Sequence, residues 1–229
     1  MQPPFVASVL DAYAGEIVES GLLPAITRAQ AEFRQTVSGA TARGHAYGFG
    51  GMQAEPCRRL YGLVRETRPA VCVETGVCNG VSTTMMLAGI ARNGAGILYS
   101  VDYPEHAGEA YPPDAFWPGK KGAVVPPGRE PGWIVPEPLR SWWRLKLGRS
   151  QEVLAPLLDA LGTIDLFLHD SEHSESCMRF EYELAWDHLR PGGVLVSDDV
   201  TWNRTFEEFA ASVGRTTVAL APNMALVVK

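Results

Sequence analysis

From residue 70 onward the chain alternates between short apolar runs and stretches whose apolar residues recur at helical spacing. The runs are Val71-Cys72-Val73, Ile97-Leu98-Tyr99, residues 164–168 and Val194-Leu195-Val196. Because they are apolar almost without interruption, they predict strands covered on both faces, and the helical stretches between them predict crossover connections, hence a parallel sheet. After Gly80, Val81, Met85 and Ala88 keep helical spacing. After Ser174 two rows, Cys177, Phe180, Leu184 and Met178, Tyr182, Ala185, Leu189, make a broad apolar face that Arg190-Pro191-Gly192-Gly193 ends. Val153, Leu154, Leu157, Leu158 and Leu161 predict a further helix, with Pro156 delaying its regular part. The last two runs, 216–220 and 224–228, are joined by Ala221-Pro222-Asn223, a connection short enough only for an antiparallel pair.

Ahead of this pattern, Phe5, Val9, Tyr13 and Ile17 lie four apart and are followed by Leu22, Leu23 and Ile26. They predict a helical extension over residues 1–52 that acts as a lid on a main domain at 53–229. Residues 103–138 break the alternation: nine of the chain's 17 prolines fall there, interleaved with glycine and with Trp117 and Trp133. A stretch this long reads as an insertion arching over the carboxyl ends of the strands, where open α/β sheets bind ligands. Tyr111, Phe116, Trp117 and Trp133, together with Tyr47, Phe49 and Met52, are candidates for an apolar pocket wall, with plain packing or a homodimer contact as the alternative.

Charge narrows the partners. Twenty Lys and Arg against 26 Asp and Glu leave a formal net charge of −6, which repels nucleic-acid backbones. The four cysteines lack CxxC spacing, so free thiols and a reducing cytoplasm are expected, and no apolar run is long enough to span a bilayer.

Four constellations carry candidate chemistry. In Val73-Glu74-Thr75-Gly76-Val77-Cys78-Asn79-Gly80-Val81-Ser82 a strand ends in an acid and turns into a helix through two glycines. The spacing is GxxxG, not the GxGxxG of a pyrophosphate loop, and a carboxylate just before it suits a cationic ligand group; the alternative is an ordinary tight turn. Asp102 closes the second strand, where a carboxylate accepts the hydroxyls of a ribose, although a turn cap would use it equally well. His169-Asp170-Ser171-Glu172-His173 and Ser197-Asp198-Asp199 open from the next two strands. Asp170, Asp198 and Asp199 at neighbouring strand mouths repel one another unless a cation such as Mg²⁺ lies among them; the alternative is that Asp170 and Asp199 cap the helices that follow.

From Glu74 to Lys229 the chain resembles the class I S-adenosylmethionine-dependent methyltransferases, in particular a bacterial small-molecule group that includes macrocin O-methyltransferase and cephalosporin hydroxylase-like proteins. The resemblance rests on E-T-G-V-C-N-G-V-S-T, V-D-Y-P, G-W-I-V-P-E-P-L-R-S-W-W, L-G-R-S, F-L-H-D-S-E-H and P-G-G-V-L-V-S-D-D-V-T-W-N in that order. It implies a doubly wound, mostly parallel, seven-stranded Rossmann-like sheet with an antiparallel last strand. It also implies S-adenosylmethionine as cofactor, with Glu74, Gly76, Gly80 and Ser82 at the methionine end, Asp102 at the ribose and Gly148-Arg149-Ser150 at the adenine, where relatives often carry an acid in place of Arg149. Asp170 lies at the cofactor as well. Asp170, Asp198 and Asp199 match the positions that bind a divalent cation, Mg²⁺ or a similar ion, in metal-dependent members.

For transfer of a methyl group to a small-molecule hydroxyl, His173 is the first candidate base and His169 the second, with Asp170 beside the reacting atoms. Rival readings are a nicotinamide-dependent oxidoreductase, which predicts GxGxxG, and a metal-bearing methyltransferase relative with other chemistry or ligand binding alone. A scaffolding role leaves the clustered acids without a purpose.

Overall fold

The strands form where the chain is apolar on both faces, so that each can be covered twice. In the computed structural model, which describes residues 7–37, 48–50, 52, 54–109 and 122–229, β1 (Val71–Thr75), β2 (Ile97–Asp102), β4 (Ile164–His169) and β5 (Leu189–Ser197) occupy the expected runs. A strand without a clear sequence signal, β3 (Trp143–Leu147), lines the edge beside β2. With β6 (Val218–Ala221) and β7 (Met224–Val228) they make a seven-stranded sheet of order β3-β2-β1-β4-β5-β7-β6. The first five strands are mutually parallel, and β7 runs antiparallel to both β5 and β6. The sheet is therefore the doubly wound architecture the sequence implies.

Alternation along each strand divides two cores. Cys72, Leu98, Leu166, Val194 and Leu226 face one side with α4 (Ala54–Thr67) and α5 (Val81–Asn93), while Val73, Phe167, Leu195 and Val227 face the other with α6 (Ser150–Leu161), α7 (Glu175–His188) and α8 (Thr205–Ser212). The N-terminal segment is three helices, α1 (Ala7–Asp11), α2 (Ala14–Ser20) and α3 (Leu22–Val37), the last two separated by Gly21 in the left-handed region. Leu10 and Ile17 are wholly buried in the first core, and Gly62 of α4 lies so near Leu10 that a Cβ there would meet its carbonyl oxygen at 2.5 Å. Helices α1 and α2 thus cover α4, on the flank of the sheet, while Phe33 and Val37 of α3 pack with Ala107 and Val124. Phe5 lies outside the described residues.

Three local expectations change. Helix α6 starts at Ser150 despite Pro156. Proline there removes the bond to the Glu152 carbonyl, but both residues are exposed, so water replaces it, while Leu154 and Leu158 bury fully on the opposite side. Strand β5 begins at Leu189, before the Pro-Gly-Gly stretch, through an irregular register against Ile164 and Leu166. Finally, neither acid caps a helix. Ser174 caps α7, its Oγ accepting from the Cys177 N–H at 3.2 Å, and Asn203 Oδ1 accepts from the Thr205 N–H at 3.0 Å at the start of α8.

Among the described residues no helix is long and apolar enough to cross a membrane.

Candidate active site

In this strand order the connections from β1 and β4 leave toward opposite faces of the sheet, so a crevice opens beyond their carboxyl ends. A cavity of about 200 Å³ lies there, and its wall includes Gly76, Asp102, Gly148, Arg149, Ser150 and Asp170. Four separated motifs, from the ends of β1, β2 and β4 and the start of α6, therefore meet on one surface.

The loop after β1 is shaped by its glycines. Gly76 has φ +85°, and a Cβ on it would fall on the carbonyl oxygen of Asp170, so only hydrogen fits between the two strand ends. Gly80 has φ +97°, and a Cβ there would lie 2.7 Å from Gly132 Cα. That contact joins the loop to the return limb of the insertion, which also donates from the Gly132 N–H to the Cys78 carbonyl at 2.8 Å. Asn79 is the hub of this joint: its Nδ2 donates to the Val124 carbonyl at 2.9 Å and to that of Phe49, and its Oδ1 accepts from Trp133 Nε1 at 2.5 Å. Trp133 and Phe49 thus buttress the loop from behind rather than walling the cavity, and Met52 is buried in the core. Tyr47, Tyr111, Phe116 and Trp117 lie outside the described residues.

The acids at the strand ends divide into structural and cavity-facing groups. Glu74 is wholly buried, with Oε1 accepting from Ser82 Oγ at 2.6 Å and Oε2 from Thr83 Oγ1 at 2.8 Å and Ser100 Oγ at 2.7 Å. Burial pushes its carboxyl up to about 7 against those hydrogen bonds. Glu74, Ser82 and Gly80 do not touch the cavity; their donors and backbone hold the loop that does. Asp102 does line it. Its Oδ2 accepts from the Val77 N–H at 3.2 Å and the Cys78 N–H at 2.6 Å, and burial raises its carboxyl to about 6. Arg149 stacks its guanidinium 4.8 Å from the centre of the Tyr103 ring, at the end of the cavity where Ser150 opens α6.

The mouths of β4 and β5 carry a second cluster. His169 is completely buried, its Nδ1 donating to Glu181 Oε2 at 2.7 Å. Glu181 also accepts from Thr75 Oγ1 at 2.5 Å and Ser171 Oγ at 2.9 Å. Burial alone would raise this carboxyl, but His169 and the surrounding donors hold it below the ordinary range. Sequence reasoning missed Glu181. Its signal was an acid one turn after Cys177 and one turn before Ala185, inside the apolar face of α7. His169 is thus held through Nδ1, while its Nε2 is buried without a hydrogen-bond partner, and neither His169 nor His173 lines the cavity.

His173 is nearly buried, its ring 5.2 Å from that of His169 and 5.4 Å from that of Trp202, which is half exposed. Its Nε2 has no hydrogen-bond partner and lies 3.8 Å from Asp199 Oδ2. Burial first, and His169 next, lower its pKa to about 4, so the ring is neutral at pH 7. Asp198 Oδ1 is likewise buried and unpaired, and burial followed by Asp199 raises that carboxyl to about 7. Asp170 is raised by burial and then by Asp198 and Asp199.

These acids do not fit a divalent cation as placed. Among the described residues no three His, Cys, Asp or Glu side chains come together as a ligand set, and Asp199 directs Oδ1 to Asn223 Nδ2 at 3.1 Å instead. The strand mouths bring Asp170, Asp198 and Asp199 into electrostatic contact without aiming their oxygens at one point.

A mostly parallel sheet of this order, with a glycine loop and an acid beside a cavity beyond its strand ends, is a doubly wound α/β architecture with its crevice at the switch point. The comparisons narrow it: residues 73–200, more than half of the chain, match the family described as a methyltransferase domain, and the chain belongs to that family. No curated protein matches the chain at a significant level. Among solved structures, the O-methyltransferase from Bacillus cereus in complex with S-adenosylhomocysteine is similar at 13% identity and TM-score 0.56, covering 96% of this chain and 97% of that one. The S-adenosylhomocysteine-bound Podospora anserina methyltransferase PaMTH1 shares 12% identity at TM-score 0.57, with 99% and 97% covered. The O-methyltransferase TomG of Streptomyces achromogenes, involved in tomaymycin synthesis and solved with S-adenosylmethionine, shares 12% identity at TM-score 0.54, with 87% and 97% covered. At such identities these likenesses show the fold.

Proposed function

We propose that the chain transfers the methyl group of S-adenosylmethionine to a hydroxyl of a small-molecule acceptor. The observation that carries this reading is the single cavity wall on which Gly76, Asp102, Gly148 and Asp170 converge at the switch point, in a chain of the methyltransferase-domain family. The S-adenosylhomocysteine held by the Bacillus and Podospora methyltransferases and the S-adenosylmethionine held by the Streptomyces O-methyltransferase support the same choice.

The transfer is a direct displacement: the acceptor oxygen bonds to the methyl carbon as the carbon–sulfur bond breaks, and the sulfonium becomes a neutral thioether. Holding the three atoms in line is the main task of the protein. In this reading Gly76 lets the backbone approach the methionine part, Asp102 takes ribose, and Gly148 to Ser150 border the adenine. The acceptor proton goes to His173, whose ring is neutral and whose Nε2 is unpartnered. Half-exposed Trp202 beside it offers an apolar face to a planar acceptor. No step runs through Mg²⁺, because the three aspartates do not form a ligand set.

Isothermal titration tests the cofactor: S-adenosylhomocysteine binds and NAD does not. Methyl-labelled S-adenosylmethionine offered with phenolic and sugar acceptors then shows label on oxygen; NAD binding, or no transfer to any hydroxyl, refutes the reading. With an acceptor in hand, His173→Ala lowers turnover by roughly 100-fold while S-adenosylhomocysteine affinity stays within about threefold of the parent. Unchanged turnover removes His173 as the base.

A further inference from the structure

The return limb of the insertion is an extended strap where it walls the cavity. Ala123 and Val125 line the cavity on the same wall as Cys78, and Val124 between them turns the other way. There it is buried with Ala107 and with Phe33 and Val37 of α3, in a small core separate from the two that cover the sheet. The backbone of the strap is bonded along both edges. The Val124 N–H donates to the Gly48 carbonyl at 3.1 Å, and the Val125 N–H donates to the Glu105 carbonyl at 2.8 Å. One residue, Val124, thus separates the face of α3 from the side of the strap that meets the cavity.

Helix α3 also reaches the loop after β1 by a second route. The Phe33 ring meets that of Phe49 edge to face, with centres 5.3 Å apart, and Phe49 meets Trp133 in the same way at 6.5 Å. Phe49 and Trp133 are both hydrogen-bonded to Asn79, the hub of that loop. Beside Phe33, Glu32 Oε1 accepts from the Arg129 guanidinium at 2.6 Å, and this guanidinium lies 5.0 Å from the centre of the Trp133 ring. That ion pair is half exposed and contributes little by itself, so buried Phe33 is the main tie.

We propose that Phe33 is a positioning residue for the cofactor: it braces the strap 122–125 and, through Phe49, the Asn79 end of the loop, so that docking of α3 and binding of the cofactor favour each other. The inference rests on the reading that the cavity holds S-adenosylmethionine. Phe33 is not on the cavity wall, so its effect on a ligand passes through the strap and the loop. Linkage makes the coupling reciprocal: the factor by which α3 tightens the ligand is the factor by which the ligand tightens α3. The N-terminal helices then divide their work, α1 and α2 covering α4 and the end of α3 serving the site.

The test titrates S-adenosylhomocysteine into the parent protein, Phe33→Ala, Phe33→Leu and Ile17→Ala. Phe33→Ala is expected to bind about tenfold more weakly, and Phe33→Leu, which keeps most of the apolar volume, to recover to within about threefold of the parent. Ile17→Ala truncates a wholly buried residue of α2 in the first core, so it lowers the thermal midpoint yet leaves affinity within about threefold. Hydrogen exchange on the parent protein supplies a second readout. Saturating S-adenosylhomocysteine should slow the amides of residues 33–37 about tenfold more than those of α2. Should Phe33→Ala fail to fold, the exchange measurement decides alone. Parent-like affinity in folded Phe33→Ala, equal losses in Phe33→Ala and Ile17→Ala, or equal slowing in α2 and α3 overturns the proposal and leaves the cofactor reading standing. A parent protein that does not bind S-adenosylhomocysteine overturns both.

Discussion

Gly76→Ala is expected to lower affinity for S-adenosylhomocysteine by about 100-fold or more, roughly 2.7 kcal/mol, measured by isothermal titration. Two effects add. A non-glycine residue at φ +85° is strained by roughly 1–2 kcal/mol, and the new methyl group has no room, because it would overlap the Asp170 carbonyl oxygen and approach Ser171 Cα at 2.9 Å. Relief requires the ends of β1 and β4 to part, and that separation moves Asp170 away from Gly76 on the cavity wall. The paired control is Gly94→Ala, also at positive φ but with open space around its Cβ at the end of α5. It carries the backbone strain without the clash, so its affinity stays within about threefold of the parent. Equal losses in both variants, or none in Gly76→Ala, place the ligand elsewhere.

The second large effect concerns Glu181. Glu181→Ala leaves His169 Nδ1, Thr75 Oγ1 and Ser171 Oγ without their common acceptor in a fully buried place. Leaving buried donors without an acceptor costs about 1–3 kcal/mol each, so the thermal midpoint should drop by roughly 10 °C for a chain of this length. Glu181→Gln retains an oxygen acceptor and falls by less. The pH dependence carries the sign. The folded-state carboxyl lies below its ordinary value, so its contribution is present above about pH 4.3 and is lost as pH falls through the lowered folded value. Glu181→Gln therefore flattens this part of the acid limb of the stability curve. A midpoint within about 2 °C of the parent for Glu181→Ala means the pair contributes little.

The legibility of the fold followed burial. Strands β1, β2, β4 and β5, covered by helices on both sides, are near-continuous apolar runs and were readable directly. Strand β3 was not, because an edge strand needs only one partner; Arg144 and Lys146 interrupt it and Leu147 is 51% exposed. The N-terminal periodicity across Val9, Tyr13 and Ile17 was real, but the chain turns between α1 and α2, and four-residue spacing does not register such a break. Pro156 misled in the other direction, because its effect on a helix depends on whether the orphaned carbonyl faces water.

At the site, the sequence placed the acids and the structure assigned their work. Glu74 and Asp102 look alike on paper, each closing an apolar strand. Glu74 is enclosed by Ser82, Thr83 and Ser100, while Asp102 reaches the cavity with one oxygen committed to the loop. Likewise His169 and His173 flank the same short motif and each keeps an unpartnered Nε2, yet only the first is bound to Glu181, and the second lies beside Trp202.

By itself, the sequence determined the order of the buried strands and their crossover helices, the parallel sheet, the glycine loop and the set of strand-end acids, since periodicity and turn chemistry are properties of neighbouring residues. Which acid serves the core and which faces the cavity was decided only in three dimensions. Ser100 reaches Glu74 across 26 positions and Thr75 reaches Glu181 across 106. A buried carboxyl takes its character from whichever donors the packing delivers to it, and packing delivers them from remote parts of the chain.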